Sequence, residues 1–353
     1  MKKNQNIKNK ELILIVKLSS LGDILHTTPL VNALSKKFEI IYLTFAENAK
    51  LLTNNPNVDL ILTFHDVFAN NKIKATSHNI ITLLRIFFLK PKITINLHKI
   101  YLLNKLFWIM GIKKRYGIMR DAKDENIAYL TSSIVFNQTE HHIRQYLKFA
   151  EFMGYSSNDV NMQFHPDPVV LKSEYCFEFP YLVICPGGGK NNWSTLLNKR
   201  WPLNHWIELV KELNNRKIAV ILVGGVDDIE SAKQIEKNEN CRKIINLTNK
   251  LNFSDLFNLL SKSLIFIGSD SFLLHFASTT GNYTLGLFGP TKGTLLAPLG
   301  NNDYLIQSPE ECSGCYDANL ALESNAYKCS DNKCMKAIKV EDVLSKIKEI
   351  INV

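Results

Sequence analysis

The sequence predicts an α/β protein built from two parallel-sheet domains in tandem. Strand-like segments alternate with helix-like segments of about ten residues, the alternation stops at a proline- and serine-rich linker, and it then starts again. The length of 353 residues suits two domains better than one. A hydrophobic content of 46% with 21% charged residues is typical of a globular chain that buries its cores.

The first half contains four short apolar segments that predict strands, at 13–16, 40–45, 60–63 and 93–96. Apolar residues at helical spacing follow the first strand, from Ile24 to Phe38. The apolar segments 79–90 and 100–112 predict helices that pack on the sheet. A membrane-facing role for these two helices is the alternative interpretation.

Residues 155–180 form the predicted linker, and the second half repeats the pattern. Its predicted strands are 181–185, 218–223, 243–247, 264–268 and 283–288, and its predicted helices are 203–213, 229–236, one starting at 254, and 272–279. We therefore predict two Rossmann-like domains, 1–165 and 175–353, that face each other across a cleft. In such sheets ligands bind at the carboxyl ends of the strands.

The net charge of +9 is confined to the first half of the chain. Residues 1–170 contain 22 Lys and Arg against 13 Asp and Glu, whereas residues 171–353 contain 20 of each. This surplus indicates either an anionic partner or a solvated lysine-rich surface. The basic residues are dispersed and form no recognition motif, so nucleic-acid binding is not expected.

No apolar run reaches the ~18–20 residues that span a bilayer, and the N-terminal apolar stretch is too short for a signal peptide. These two observations predict a cytoplasmic protein.

Four polar segments follow predicted strands, where parallel-sheet enzymes place their working residues. They are SSLGD at 19–23, PGGG through NKRWP at 186–202, GSDSFLLH at 268–275, and FGPT at 288–291. Backbone N–H groups of Gly187, Gly188 and Gly189 could approach an anion closely, because glycine has no side chain. Lys199 and Arg200 could add positive charge for a diphosphate. The segment is neither a Walker A motif nor a G-x-G-x-x-G fingerprint.

Two acidic side chains stand at predicted strand-to-helix turns. Asp270 could accept hydrogen bonds from a ribose, while Ser271 could cap the next helix and help hold a phosphate at its N-terminus. His275 lies four residues after Ser271, on the same helical face. Asp23 is either the N-cap of its helix or a general base, and the residues alone leave both interpretations open.

Four of the seven cysteines fall within 23 residues near the end of the chain: Cys312, Cys315, Cys329 and Cys334. In a cytosolic protein such a cluster indicates metal binding more than disulfides. Two cysteine pairs could present four thiolates to zinc or iron, and reduced, packed cysteines or a disulfide are the alternatives. Because the cluster follows FGPT, away from the expected chemistry, we predict a structural metal.

These segments, in this order, resemble glycosyltransferase family 9, the ADP-heptose:lipopolysaccharide heptosyltransferases. The resemblance rests on ILIVKLSSLGDILHTTPLVNAL, KRWPLNHWIELVKEL, SDSFLLHFASTTGNYTLGLFGPT and CSGC…CSDNKCMKAIKVEDVL, and covers nearly the whole chain. It implies the GT-B architecture of two Rossmann-like domains. It also implies inverting transfer of a heptose from an ADP-linked donor to a sugar hydroxyl of the lipopolysaccharide inner core.

The resemblance implies roles for individual residues. Asp23 would be the general base and Lys199 would neutralise the leaving diphosphate. Ser19, Ser20 and Gly22 would lie on the acceptor side, in the first domain. The donor would be bound in the second domain by Gly187, Gly188, Gly189, Asp270, Ser271 and His275.

The resemblance also implies partners and a location. Catalysis would need no cofactor, and some relatives bind iron through cysteines. The partners would be an ADP-sugar, a lipid-linked anionic glycan and the inner-membrane surface, with the protein peripherally attached on the cytoplasmic side. In this architecture the last helix can pack back on the first domain.

One departure from the family pattern is Phe272, which stands where the family usually has glycine. Its ring would narrow access to the phosphate, stack on the adenine, or pack inward. Three alternatives to the main hypothesis follow: a non-catalytic nucleotide-sugar-binding protein, a family member with another donor or a protein or other glycan acceptor, and a different enzyme on this architecture, such as a nucleotide-sugar epimerase.

Overall fold

The computed structural model describes residues 10–66, 72–121, 123–167, 175, 177–189, 196–238, 243–317 and 325–352. By its internal contacts the chain divides into two units, Met1–Val160 and Asn161–Val353. Among the described helices, none is both long enough and apolar enough to cross a membrane.

The first unit is a six-stranded parallel sheet with helices on both faces. Its elements are β1 (Glu11–Val16), α1 (Leu21–Ser35), β2 (Phe38–Phe45), β3 (Leu60–Phe64), α2 (Lys72–Leu89), β4 (Ile93–Asn96), α3 (Tyr101–Ile109), β5 (Lys114–Met119), β6 (Ser132–Val135) and α4 (His142–Glu151). The strand order is β3-β2-β1-β4-β5-β6. Ile13 at the sheet centre pairs with Ile40 on one side and Ile93 on the other.

The central strands are buried on both sides, which explains why their sequences are continuous apolar runs. Strands β5 and β6 were not predicted, because β5 begins with Lys114 and Arg115 and β6 is a short edge strand of mixed polarity. Helix α2 begins seven residues earlier than predicted. Its buried face consists of Ala75, Thr82 and Ile86, of which only the last is strongly apolar.

The second unit is another six-stranded parallel sheet. Its elements are β7 (Tyr181–Cys185), α5 (Leu203–Asn215), β8 (Ala219–Leu222), α6 (Ile229–Glu236), β9 (Ile244–Asn246), α7 (Phe253–Ser261), β10 (Phe266–Ser269), α8 (Phe272–Ser278), β11 (Thr284–Phe288), α9 (Gly293–Leu296), β12 (Asp303–Gln307), α10 (Asn325–Lys328), α11 (Lys333–Ala337) and α12 (Val340–Ile351). The strand order is β12-β11-β10-β7-β8-β9.

The core of the second unit includes both α5 and the last helix, α12. Trp206 and Leu209 of α5 share one buried cluster with Val343 and Ile347 of α12. The indole Nε1 of the buried Trp201 donates to the carbonyl of Ile338, 2.9 Å away. This contact holds the segment before α5 next to the segment before α12.

In each sheet the strand order reverses direction at one point, between β1 and β4 in the first and between β7 and β10 in the second. Connections leave in opposite directions at such a point, which opens a crevice at the carboxyl ends of the two strands. SSLGD follows β1 and PGGG follows β7, while Asp270 and Ser271 follow β10. Three of the four predicted segments therefore lie at switch points.

Candidate active site

The first cluster lies at the β1–β4 switch point and centres on an ion pair. Lys17 directly follows β1, and its Nζ lies 3.1 Å from Oδ2 of Asp23 in the first turn of α1. The backbone N–H of Ser20 donates to the same oxygen at 3.2 Å. The Asp23 side chain keeps 34% of its surface exposed, whereas Lys17 keeps 10%. The carboxylate, and not the ammonium, is therefore the partner that a ligand can reach.

The ion pair keeps both groups charged. Burial works to raise the pKa of Asp23, but the neighbouring Lys17 outweighs it and holds the pKa well below its usual range. Burial alone would lower the pKa of Lys17, but the negative charge of Asp23 outweighs burial, and the pKa is raised. Asp23 is consequently a carboxylate at every pH near neutrality.

Histidines surround this pair. His98 follows β4, and burial together with Lys17 lowers its pKa to about 3. His142 begins α4, and burial lowers its pKa to about 3 as well. Both are neutral near pH 7 and can donate or accept hydrogen bonds. Asp23, His26 and His142 also form, among the described residues, the one group of three potential metal ligands within 4.8 Å of one another. The positive charge of Lys17 would repel a metal cation bound by these three residues.

The predicted acceptor-side residues form the turn that presents Asp23. Ser20 is the residue before α1, its carbonyl accepts the first helical hydrogen bond from Ile24, and Gly22 is buried in the first turn. Asp23 is the third residue of the helix and not its N-cap, although it accepts from the Ser20 backbone. Its carboxylate thus satisfies one helix-end donor and still remains partly exposed.

The second cluster lies at the β7–β10 switch point and begins with the glycine turn. Gly188 and Gly189 have φ angles of 99° and 78°, a left-handed conformation that glycine adopts without strain. A Cβ on Gly187 would lie 1.7 Å from Oδ1 of Asp228, and one on Gly188 would lie 2.9 Å from Cβ of Ser271. The turn is therefore packed between Asp228 and Ser271. Residues 190–195 of the predicted segment lie outside the described part of the chain.

A buried carboxylate holds this turn in place. Oδ1 of Asp228 accepts from the backbone N–H of Gly188 at 3.0 Å and from the Arg200 guanidinium at 3.1 Å. Arg200 also donates through Nε to the carbonyl of Gly188 at 2.8 Å. The sequence indicates that Arg200 could add positive charge for a diphosphate. In the structure its guanidinium also holds the glycine turn.

Lys199 forms a second ion pair in this cluster, beside Arg200–Asp228. Its Nζ lies 2.7 Å from Oδ2 of Asp270, and Nε2 of His275 lies 3.5 Å from Oδ1. Burial works to raise the pKa of Asp270, but Lys199 and His275 outweigh it and hold the pKa far below its usual range. Asp270 is only 5% exposed and Lys199 is 17% exposed. In this pair the ammonium is the partner with more exposed surface.

Two further residues complete the β10 side. The Oγ atom of Ser271 is buried and makes no hydrogen bond with the described residues. The ring of Phe272 packs against Phe253 and Phe276, with centroid distances of 5.5 and 5.4 Å. Of the three arrangements considered for Phe272, the structure shows packing within an aromatic cluster.

The cysteine segment packs against the loop that carries Lys199. The Tyr316 ring centroid lies 5.2 Å from Nζ of Lys199, and the side chain of Asn332 donates to the carbonyl of Arg200 at 3.1 Å. The segment is thus adjacent to the predicted diphosphate-binding lysine, contrary to the expectation from its position after FGPT. The fold brings the cysteine segment back next to the loop that carries Lys199.

The four thiols of this segment lie near one another without enclosing a metal site. Burial, followed by the proximity of the other three cysteines, raises the pKa of Cys334 to about 11. No three of these sulfur atoms, all in described residues, lie within 4.8 Å of one another. As placed, the sulfurs do not form the tetrahedral set that zinc or iron requires.

The sequence did not predict five residues of these clusters: Lys17, His26, His98, His142 and Asp228. Lys17 and His98 could have been found as the first polar side chains after β1 and β4. Asp228 could have been found in a similar way, because it lies shortly after β8 and the Gly-Gly pair that follows that strand. No local pattern marks His142, which reaches the site only because α4 packs beside α1.

The fold and its two charged switch points define an α/β protein of two Rossmann-like domains. Residues 93–325 match the sequence model of glycosyltransferase family 9 (heptosyltransferase). The chain therefore belongs to glycosyltransferase family 9, and the family predicted from the sequence is confirmed.

Known proteins resemble the chain in sequence and in fold. Lipooligosaccharide heptosyltransferase 2 of Campylobacter jejuni is 27% identical over 222 residues, which cover 61% of this chain and 66% of that relative. The chain thus spans slightly under two thirds of that relative's length. A family 9 glycosyltransferase structure from Veillonella parvula has a TM-score of 0.77 at 18% identity, covering 98% of this chain and 99% of that one.

A third resemblance is to the dodecameric iron-containing heptosyltransferase TibC of enterotoxigenic E. coli, solved in complex with ADP-D-beta-D-heptose. The TM-score is 0.60 at 14% identity, covering 99% of this chain and 78% of that one. Such structural likenesses confirm the predicted fold class, α/β with two Rossmann-like parallel-sheet domains of the GT-B type.

We predict that Asp228→Ala destabilises the second unit. The substitution leaves the Gly188 and Gly225 N–H groups and the Arg200 guanidinium without their shared acceptor. Breaking a buried pair in this way should lower the free energy of unfolding by about 3 kcal/mol, measured by urea denaturation. Glu230→Ala, an exposed acidic residue of α6, is the matched control, and an equal loss in both variants would contradict the prediction.

Proposed function

We propose that this protein is an inverting glycosyltransferase that moves heptose from ADP-heptose to a sugar hydroxyl of the lipopolysaccharide inner core. The observation that carries the proposal is the partly exposed carboxylate of Asp23, kept ionised by Lys17 at the β1–β4 switch point. The relative from C. jejuni supports the acceptor class, and the TibC complex supports the donor.

In the proposed reaction Asp23 accepts the proton of the acceptor hydroxyl. The acceptor oxygen forms a bond to the anomeric carbon while the bond from that carbon to the diphosphate oxygen breaks. ADP leaves with the added negative charge, and Lys199 lies in the second unit to neutralise it. One displacement of this kind inverts the anomeric configuration.

Residues 1–165 would bind the acceptor, with Ser19, Ser20 and Gly22 forming its turn. Residues 175–353 would bind the nucleotide sugar. Three features support donor binding there. The glycine turn brings backbone close to Ser271, Ser271 Oγ is buried without a hydrogen-bond partner among the described residues, and Asp270 with His275 orients Lys199. Asp270 would then act on the diphosphate through Lys199 and not by direct contact.

The proposed acceptor class also implies where the enzyme works. A lipid-linked glycan stays in the membrane, so the enzyme would work on the cytoplasmic surface of the inner membrane, attached peripherally. Catalysis itself would need no cofactor, because the proton acceptor and the diphosphate-binding cation are both side chains of this chain.

We predict that Asp23→Asn lowers kcat by about 10²–10⁴-fold with little change in KM, because the amide cannot take the proton. Release of ADP from ADP-heptose, with a deacylated inner-core acceptor, measures it. Glu47→Gln, an exposed acid of the same unit, is the control. Turnover at the wild-type rate in the Asp23 variant would overturn the assignment of the base, and release of ADP without acceptor would overturn the transferase.

We predict that Lys17→Met moves the acid limb of the kcat profile to higher pH. The change removes the cation that holds the pKa of Asp23 low, while burial continues to raise that pKa. Protonated, inactive Asp23 then accumulates at a higher pH than in the wild type, by about one pH unit or more. A profile identical to that of the wild type, and of the exposed control Lys336→Met, would show that Lys17 does not set the state of the base.

We also propose that Cys312, Cys315, Cys329 and Cys334 bind a structural zinc or iron ion, which would require the four sulfurs to move closer together. Their mutual proximity supports this, as does the iron-containing TibC. We expect about one equivalent of zinc or iron by elemental analysis, lost in Cys312→Ser/Cys315→Ser. Cys185→Ala, a buried cysteine of β7, should keep the metal. Metal-free wild-type protein would contradict the proposal.

A further inference from the structure

Helix α2 carries large apolar side chains on its outward face. Its buried face, made by Ala75, Thr82 and Ile86, packs on the sheet. The opposite face exposes six large apolar side chains: Ile73, Ile80, Ile81, Leu84, Phe87 and Phe88. Ile73 is 79% exposed and Phe88 is 74% exposed. An exposed apolar stripe of this kind marks an interaction surface.

Helix α3 extends this surface. Leu103 and Phe107 of α3 lie in the same core cluster as Ile86 of α2, so both helices cover the same face of the sheet. The outward side of α3 exposes Leu102, Trp108 and Ile109. We call the outward faces of α2 and α3 together the α2–α3 surface.

This part of the chain is uniformly basic. Residues 67–120 contain eleven Lys and Arg and no Asp or Glu, so they account for the positive surplus of the first half. Along α2, Lys74 and Arg85 lie on one side of the apolar stripe and Lys72 on the other, by their positions at 100° per residue. An apolar face with basic flanks is the pattern of helices that lie in the interface of an anionic membrane.

A groove of about 430 Å³ lies where α2 and α3 both end. Four lysines line it: Lys90, Lys92, Lys113 and Lys114. Glu11 is the acidic residue of the lining, and its carboxylate is paired with Lys92 at 2.8 Å. The groove therefore adds net positive charge at one end of the apolar surface, where a phosphate headgroup would be attracted.

We propose that the α2–α3 surface docks on an anionic lipid bilayer, with the apolar side chains of α2 and α3 among the acyl chains and the lysines at the phosphate headgroups. A second copy of this chain is a poorer occupant, because a symmetric contact would bring like charges together. Only the role of this docking rests on the proposed function: it would bring the enzyme to a lipid-linked acceptor.

The experiment is co-sedimentation of the full chain with vesicles of phosphatidylcholine, with and without phosphatidylglycerol. We expect binding to the anionic vesicles that weakens as salt is raised. Ile73→Gln/Phe88→Gln removes the two most exposed apolar side chains and should lower the partition coefficient about tenfold or more. Lys113→Gln/Lys114→Gln should weaken binding to anionic vesicles and leave the weaker binding to neutral ones unchanged.

Two matched controls lie in the second unit. Val226→Gln removes an exposed apolar side chain, and Lys333→Gln/Lys336→Gln removes two exposed lysines. Both should bind vesicles as the wild type does. Wild-type failure to bind anionic vesicles, or equal binding by Ile73→Gln/Phe88→Gln, would overturn the proposal. A change of oligomeric state in that variant without lipid would overturn it in favour of a second copy.

The two proposals fail separately. Turnover with the deacylated, water-soluble acceptor should be the same in the wild type and in every surface variant. A wild-type protein that binds vesicles but does not transfer heptose refutes the function and leaves the docking surface standing. One that transfers heptose but ignores vesicles refutes only the docking surface.

Discussion

The whole arrangement depends on the reversal of strand order in each parallel sheet. Between β1 and β4, and again between β7 and β10, the chain leaves the two strands in opposite directions, so the residues after them meet in a crevice. Lys17, Asp23 and His98 gather at the first reversal. The glycine turn, Asp270 and Ser271 gather at the second. In a sheet without these reversals the connecting segments would cover the strand ends, and the same side chains would not converge.

Each crevice contains a lysine–aspartate pair. In each pair, the less buried side chain is the one that a ligand can reach. In the first unit the lysine is buried and the aspartate keeps a third of its surface exposed, so the pair presents a negative charge. In the second unit the aspartate is buried and the lysine is the more exposed, so the pair presents a positive charge. The same two residue types therefore suit the two different tasks proposed for them, one toward a hydroxyl proton and the other toward a diphosphate.

The second crevice is held by contacts from distant parts of the chain. Asp228, after β8, accepts from the glycine turn and from Arg200 at once. The cysteine segment donates to the Arg200 carbonyl through Asn332 and places the Tyr316 ring near Lys199. A metal that gathered the four thiols would thus act on the position of Lys199. Asp228 lies 40 residues from Gly188 and 28 from Arg200, and Asn332 lies 132 residues from Arg200, so no local sequence pattern predicts these contacts.

The sequence by itself determined the two-domain parallel-sheet fold, most of its strands, the family, and the candidate residues Asp23, Lys199, Asp270 and Ser271. The fold and its strands follow from local periodicity, and the candidate residues follow from the polar segments after buried strands. The family follows from motifs that resemble glycosyltransferase family 9. All of these are local features of the sequence. Only the tertiary structure decided that Asp23 pairs with Lys17 and Lys199 with Asp270, that Arg200 contacts the glycine turn, and that Phe272 packs against other aromatic rings. It also decided that α2 leaves an apolar face exposed. Pairing, burial and exposure depend on which distant segments meet, and a side chain's charge state follows from those neighbours.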